Sequence, residues 1–129
     1  MAHDRRKELM VQFCIAYCGI LAKHTLCATN STGRMVSEAT GLPITLYMSR
    51  SKGGGTQIGS RISYNEIDMV LFFCDPQMVE DYQGNVIEIA RLCDQYNVPF
   101  ASNVATAEVL IHGLNRGDLA WRDIVNPKQ

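Results

Sequence analysis

At 129 residues, 47% hydrophobic and 19% charged, the chain has the composition of one soluble globular domain covering residues 1–129. Its formal net charge of −1 comes from 12 basic and 13 acidic residues interspersed along the chain, which leaves no basic stripe for nucleic acid. No apolar run approaches the ~20 residues of a membrane span, and Met1-Ala2-His3 opens no signal-peptide pattern, so no membrane partner is expected.

Asp4 is a residue type that caps helices, and after it Leu9, Phe13, Tyr17, Ile20 and Leu21 form an apolar stripe. That pattern predicts one long helix to about Lys23. Thr25–Ala28 reads as a short strand. Residues 29–33 form a polar turn entering a second helix, which stops at Gly41 before Pro43. Ile44–Met48 reads as another strand and 49–55 as an exposed loop. A helix over about 56–65 precedes the apolar strand Ile67–Phe73, which runs into Asp75-Pro76. Beyond a polar loop, Val86, Ile89, Ala90, Leu92 and Cys93 mark the core side of a further helix. Pro99–Ala101 is the last strand, 104–115 the last long helix, and Trp121 is expected to anchor a short tail helix.

Helices alternating with short apolar strands predict an α/β fold, a three-layer sandwich in which helices flank a parallel sheet. The chain opens on a helix with no strand before it. Four strands follow where a five-stranded sheet would be the comfortable solution. The five cysteines at 14, 18, 27, 74 and 93 are an odd number, three of them within apolar stretches. They read as reduced, mostly buried thiols of a cytosolic protein. Cys14 and Cys18 share a helix face, but no His or acid completes a metal set with them.

Thr29, Ser31 and Thr32 place three hydroxyls and a run of backbone N–H groups just before a helix. A phosphate there would gain the positive end of the helix and several donors; the same residues serve equally well as simple N-caps. Ser49-Arg50-Ser51-Lys52 followed by Gly53-Gly54-Gly55 adds two cations, two hydroxyls and a permissive backbone. Such a segment can close over an anion or lie solvated. Asp75 ends a buried strand, where open α/β sheets bind ligands, and apolar neighbours would raise its pKa as a general acid requires. Asp before Pro is also a routine turn former. Asp68, at the other end of that strand, reads as a turn or cap residue. His3, Asp4 and Lys7 could orient a polar substrate if docked against strand ends. His24 and His112 read as surface or helix-end histidines.

Together these pieces resemble the methylglyoxal synthase family over essentially the whole chain. The matching stretches are Ala-His-Asp at 2–4 with Lys7, A-T-x-[ST]-T-G at Ala28–Gly33 and E-A-T-G-L at 38–42. They continue with G-G-x-x-Q-x-G at Gly53–Gly59, F-F-x-D-P at Phe72–Pro76, R-L-C-D at 91–94 and N-V-A-T-A-E at Asn103–Glu108. The resemblance implies a phosphate-binding α/β sandwich, a homohexamer, and conversion of dihydroxyacetone phosphate to methylglyoxal and inorganic phosphate without metal or organic cofactor. It implies Lys7, Thr29, Ser31, Thr32 and Ser49 as phosphate ligands. It also implies His3 and Asp4 as polar active-site residues and Asp75 as a catalytic-site aspartate.

The departures fall on the acid–base groups. The family motif G-G-D-Q-Q, whose aspartate is the base, is here Gly53-Gly54-Gly55-Thr56-Gln57. Gly55 has no side chain to take a proton. The family's substrate-facing histidine aligns with Tyr82, the aspartate of that segment with Asn85, and S-G-P has become Ser49-Arg50-Ser51. Losing a general base costs ~10²–10⁴ in rate and losing a polarising donor on the order of 10²–10³ more.

In the family a strand runs into Ala-His-Asp through a central slot of the sheet. Only Met1 precedes Ala2 here, so the first strand is expected to be missing, leaving two unpaired strand edges and an open hydrophobic groove. Either the chain begins further upstream or it is a degenerate, marginally stable copy; the catalytic substitutions point to the second. Three functions follow. One is a lyase of residual activity. Another is a non-catalytic binder of small phosphates, as in the regulatory domain of the large subunit of carbamoyl phosphate synthetase. The third is an interaction-only subunit of an active hexamer.

Overall fold

The short apolar runs become parallel strands in the computed structural model, which describes residues 1–78 and 85–125. β1 (Leu26–Thr29) pairs with β2 (Ile44–Tyr47), Leu26 opposite Ile44 and Thr29 opposite Tyr47. β3 (Val70–Leu71) pairs with β4 (Phe100–Ala101). Around them lie α1 (Lys7–Ala16), α2 (Cys18–Leu21), α3 (Asn30–Thr40), α4 (Gly54–Ser63), α5 (Asn85–Tyr96), α6 (Val104–Arg116) and α7 (Trp121–Val125). Parallel strands need crossover helices, and those helices bury both faces of the sheet.

Two apolar clusters result. Met10, Phe13 and Cys14 of α1 pack with Val36 of α3 and with Ala107 and Ile111 of α6. Ile58 and Ile62 of α4 pack with Ile89 and Cys93 of α5 around Val70 and Phe72. The expected three-layer α/β arrangement is therefore present. No helix among the described residues is long and apolar enough to cross a membrane.

Several expectations need correction. The single helix to Lys23 is instead a 3₁₀ turn at Asp4–Arg6, then α1, then α2. The break falls at Tyr17 (φ −110°, ψ 23°), whose ring packs on Phe13 at 4.9 Å and edge-on to His112 at 5.4 Å. Asp4 is not the N-cap: His3 holds that position without a side-chain capping bond, and the Asp4 carboxylate instead meets Lys7 Nζ at 2.7 Å. The loop 49–55 contains a 3₁₀ turn at Arg50–Lys52, and α4 starts inside the glycine run. β1 lies one residue later than expected. The regular strand within 67–73 is only Val70–Leu71, although Phe72 N and Cys74 N go on to donate to Ala101 O and Ser102 O at 2.9 and 3.0 Å. The cysteines are less buried than expected: Cys14 and Cys93 are buried, Cys18 and Cys74 half-buried, and Cys27 exposed.

Trp121 does not anchor the tail; it is 45% exposed. The anchor is its neighbour Arg122, only 2% exposed, whose Nε donates to Asn97 O at 3.0 Å and whose Nη1 pairs with the Asp68 carboxylate. Asp68 is thus an ion-pair partner. Arg122→Leu removes the cation from a pair whose carboxylate is partly solvated. It is expected to destabilise the fold by about 2 kcal/mol, below the full cost of breaking a buried pair, as read from urea unfolding.

Residues 1–3 form a strand stub beside Phe73. Met1 N donates to Leu71 O at 2.9 Å, Phe73 N to Met1 O at 3.1 Å and His3 N to Phe73 O at 3.0 Å. These bonds make a one-residue parallel bridge, Ala2 to Phe73. Behind this stub a cavity of about 760 Å³ separates the β1–β2 pair from the β3–β4 pair, lined by Leu26, Cys27 and Ala28 on one side and Ile67, Met69 and Leu71 on the other.

Candidate functional site

Parallel strands put all their carboxyl ends on one side, and there the sequence places Thr29, Ser49 and Asp75, with His3 at the end of the stub. Thr29 ends β1, is 2% exposed, and holds the N-cap position of α3 without a side-chain capping bond. Simple capping is therefore not what its hydroxyl does. The Asn30 amide donates to Met48 O at 3.4 Å, and among the described residues the Ser31 and Thr32 amides have no acceptor. Helix starts leave such N–H groups unpaired, and they favour anions.

Lys7 extends this cradle from α1. Its Nζ donates to Ser31 Oγ at 2.6 Å and pairs with Asp4 Oδ1 at 2.7 Å. The Lys7 hydrogen bond and charge, helped by Arg50, hold the exposed Asp4 carboxyl below its ordinary range. Thr32 is 2% exposed, and among the described residues its hydroxyl has no hydrogen-bond partner. It also lines the cavity behind the cradle.

A second helix start faces the same region. Ser49 holds the N-cap position of the 3₁₀ turn, its carbonyl accepts the Lys52 and Gly54 amides at 2.9 and 3.0 Å, and its Oγ lies 3.3 Å from Ser51 Oγ. Gly53 has φ 101°, a left-handed conformation that only glycine adopts without strain. Gly54 presses on the chain it follows: a Cβ there would sit 1.9 Å from Met48 O. Because Met48 O also takes the Asn30 amide, the starts of α3 and α4 meet on either side of Met48. Gln57 Oε1 fixes that point by accepting Met48 N at 2.8 Å. Gly54→Ala would push its methyl into backbone that cannot yield. The expected loss is about 3 kcal/mol, measured by thermal unfolding.

Gly55 is buried in the first turn of α4, and among the described residues its amide and that of Thr56 have no acceptor.

Asp75 and His3 meet directly. Asp75 N donates to His3 Nδ1 at 2.8 Å, which puts the ring proton on Nε2. His3 is 2% exposed and packs edge-on against Phe72 at 5.4 Å. Asp75 Oδ1 accepts the Gln77 amide at 2.9 Å, so its turn-forming role is real. Its Oδ2 lies 3.9 Å from Arg5 Nε, and Arg5 Nη1 donates to Gln77 Oε1 at 3.1 Å. Tyr82 lies outside the described residues, as does the side chain of Asn85.

Two groups at this end of the sheet have contacts that the sequence did not single out. Arg50 lies over the Phe72 ring at 5.4 Å from its centroid, close enough for its charge to act on Asp4. Arg5 latches the turn at Asp75–Gln77 to the first 3₁₀ turn. Both stand in a run of cations that a sequence alone does not rank, and only the packing distinguishes Arg50 from Lys52.

The fold and these residues define a three-layer α/β protein whose sheet ends at two helix starts beside a histidine–aspartate pair. The family model described as the MGS-like domain matches residues 10–102. The chain is 56% identical to a methylglyoxal synthase of Caldicellulosiruptor saccharolyticus over 99% of this chain and 91% of that protein. It is 46% identical to a methylglyoxal synthase of Oceanobacillus iheyensis, over 100% and 92% of the two chains. The crystal structure of methylglyoxal synthase from Elizabethkingia anophelis is similar with a TM-score of 0.80 at 37% identity, covering 86% of this chain and 73% of that one. The chain belongs to the methylglyoxal synthase family.

Proposed function

We propose that the protein binds dihydroxyacetone phosphate or a similar small phosphate in this cradle and eliminates phosphate from it at most weakly. One observation supports the reading: Lys7 Nζ meets Ser31 Oγ beside the open amides at the start of α3, while position 55, which the resemblance aligns with the family's base, is a glycine. Elimination needs a carboxylate to take the proton next to the carbonyl, donors for the enediolate oxygens, and a held phosphate to leave. The phosphate grip and the His3 Nε2–H donor support the last two needs. Asp75 is the half-buried carboxylate beside His3, and both its oxygens are already engaged, Oδ1 by the Gln77 amide and Oδ2 by Arg5 at 3.9 Å.

The second reading is a phosphate-binding regulatory domain or subunit with no turnover, favoured by the same absence of a side chain at position 55. The family relation supports a homohexamer in the cytoplasm, with no metal or organic cofactor. Release of methylglyoxal and phosphate from dihydroxyacetone phosphate by the purified protein separates the two readings. Slow, saturable release that inorganic phosphate inhibits supports the residual lyase. No release, with binding retained, supports the regulatory domain.

A further inference from the structure

The segment that leads into α4 departs from the family pattern at two positions, and both change its charge. In the stretch aligned with S-G-P the glycine position is Arg50, and in the stretch aligned with G-G-D-Q-Q the aspartate position is Gly55. One cation gained and one carboxylate lost make this segment two charges more positive than the pattern. The proposed phosphate grip is the same with or without that change, because Lys7, Ser31 and the open amides stand at the start of α3.

Arg50 is set into the site, whereas its neighbour Lys52 is exposed. It opens the 3₁₀ turn that Ser49 precedes, and its carbonyl accepts the Gly53 amide at 3.4 Å. Its guanidinium lies 5.4 Å from the centroid of the fully buried Phe72 ring. His3 packs edge-on against that same ring, also at 5.4 Å, while its Nδ1 accepts the Asp75 amide. The Arg50 charge also helps to hold the Asp4 carboxyl below its ordinary range, which places the guanidinium within electrostatic reach of the first 3₁₀ turn. A guanidinium carries five N–H donors in a planar fork, and lying over a ring consumes none of them. Arg50 is thus a held cation between the α4 start and the histidine–aspartate pair.

We infer that Arg50 is a specificity-determining residue, and that the ligand of this site is a short phosphate ester with a carboxylate at its far end. The inference rests on the phosphate cradle proposed above and specifies the other end of the molecule that the cradle holds. A guanidinium pairs with a carboxylate through two parallel charge-assisted bonds, whereas a keto or hydroxymethyl end offers it one neutral acceptor. An aspartate at position 55 would repel that carboxylate. Glycine there leaves the Gly55 and Thr56 amides, which have no acceptor among the described residues, at the positive end of α4. Either exchange alone describes a loss. Together they favour a different ligand, because both act in the same direction on an anionic group.

The test compares 3-phosphoglycerate with glycerol 3-phosphate, which differ only in a carboxylate against a hydroxymethyl group at the carbon far from the phosphate. Calorimetric titration of the unsubstituted protein is expected to show 3-phosphoglycerate bound about tenfold more tightly, the difference between a charge-assisted and a neutral contact. Arg50→Met keeps an apolar stem over Phe72 and should bring the ratio of the two affinities to about one. Gly55→Asp, which leaves Arg50 in place, should lower the same ratio by repulsion. Equal affinities in the unsubstituted protein, or a preference that survives Arg50→Met, overturn the inference while the cradle stands. If neither ester nor inorganic phosphate binds, the cradle itself is overturned and this inference with it.

Discussion

Gly55→Asp is expected to raise methylglyoxal release from dihydroxyacetone phosphate by at least about 10²-fold over the unsubstituted protein. Position 55 is in the first turn of α4, where the helix's positive end favours a carboxylate. The proposed phosphate grip would use Lys7, Ser31 and the α3 amides, of which Lys7 Nζ and Ser31 Oγ already meet. Parallel assays at saturating substrate read the effect as kcat. If the unsubstituted protein turns over as fast as its Asp variant, another carboxylate is the base and the reading of Gly55 is wrong. If both are silent, the loss lies with Tyr82 or Asn85.

Lys7→Met is expected to weaken binding of dihydroxyacetone phosphate and of inorganic phosphate by roughly 10–100-fold, the worth of one charge-assisted hydrogen bond. The apolar stem is kept, so packing on α1 is preserved. Its partner Asp4 has an 85% exposed side chain, and an exposed pair adds about 0–1 kcal/mol at most. Tm should therefore barely move while the dissociation constant rises, as calorimetric titration and thermal unfolding would together show. A large loss of stability with unchanged affinity would mean that Lys7 ties α1 to α3 and does not hold an anion.

Local signals carried most of the element order. Gly41 stops α3 with φ 75°, and Asn103 caps α6 by accepting the Thr106 amide at 2.9 Å; residues of those types advertise such ends. What the sequence did not disclose rests on distant partners. Arg122 is a surface-type residue until Asp68, 54 positions earlier, and Asn97 close around it. Tyr17 continues a helical stripe until Phe13 and His112 fix its ring and the helix breaks.

The site divides in the same way. Thr29, Ser31 and Thr32 could be read as anion ligands or caps from their position alone, whereas the contact of Lys7 with Ser31 joins residues 24 apart. The junction at Met48, where Asn30 and Gly54 meet one carbonyl, has no sequence signal beyond an unexplained glycine. Gly54 was legible only as flexibility, and its role is close approach.

The central claim is that an anion cradle persists where the base does not. A calorimetric titration of the unsubstituted protein with dihydroxyacetone phosphate, repeated in the presence of inorganic phosphate, tests it most directly. The account predicts saturable binding of one ligand per chain that phosphate displaces. Absence of saturable binding at millimolar ligand, or binding that phosphate leaves unchanged, would contradict it.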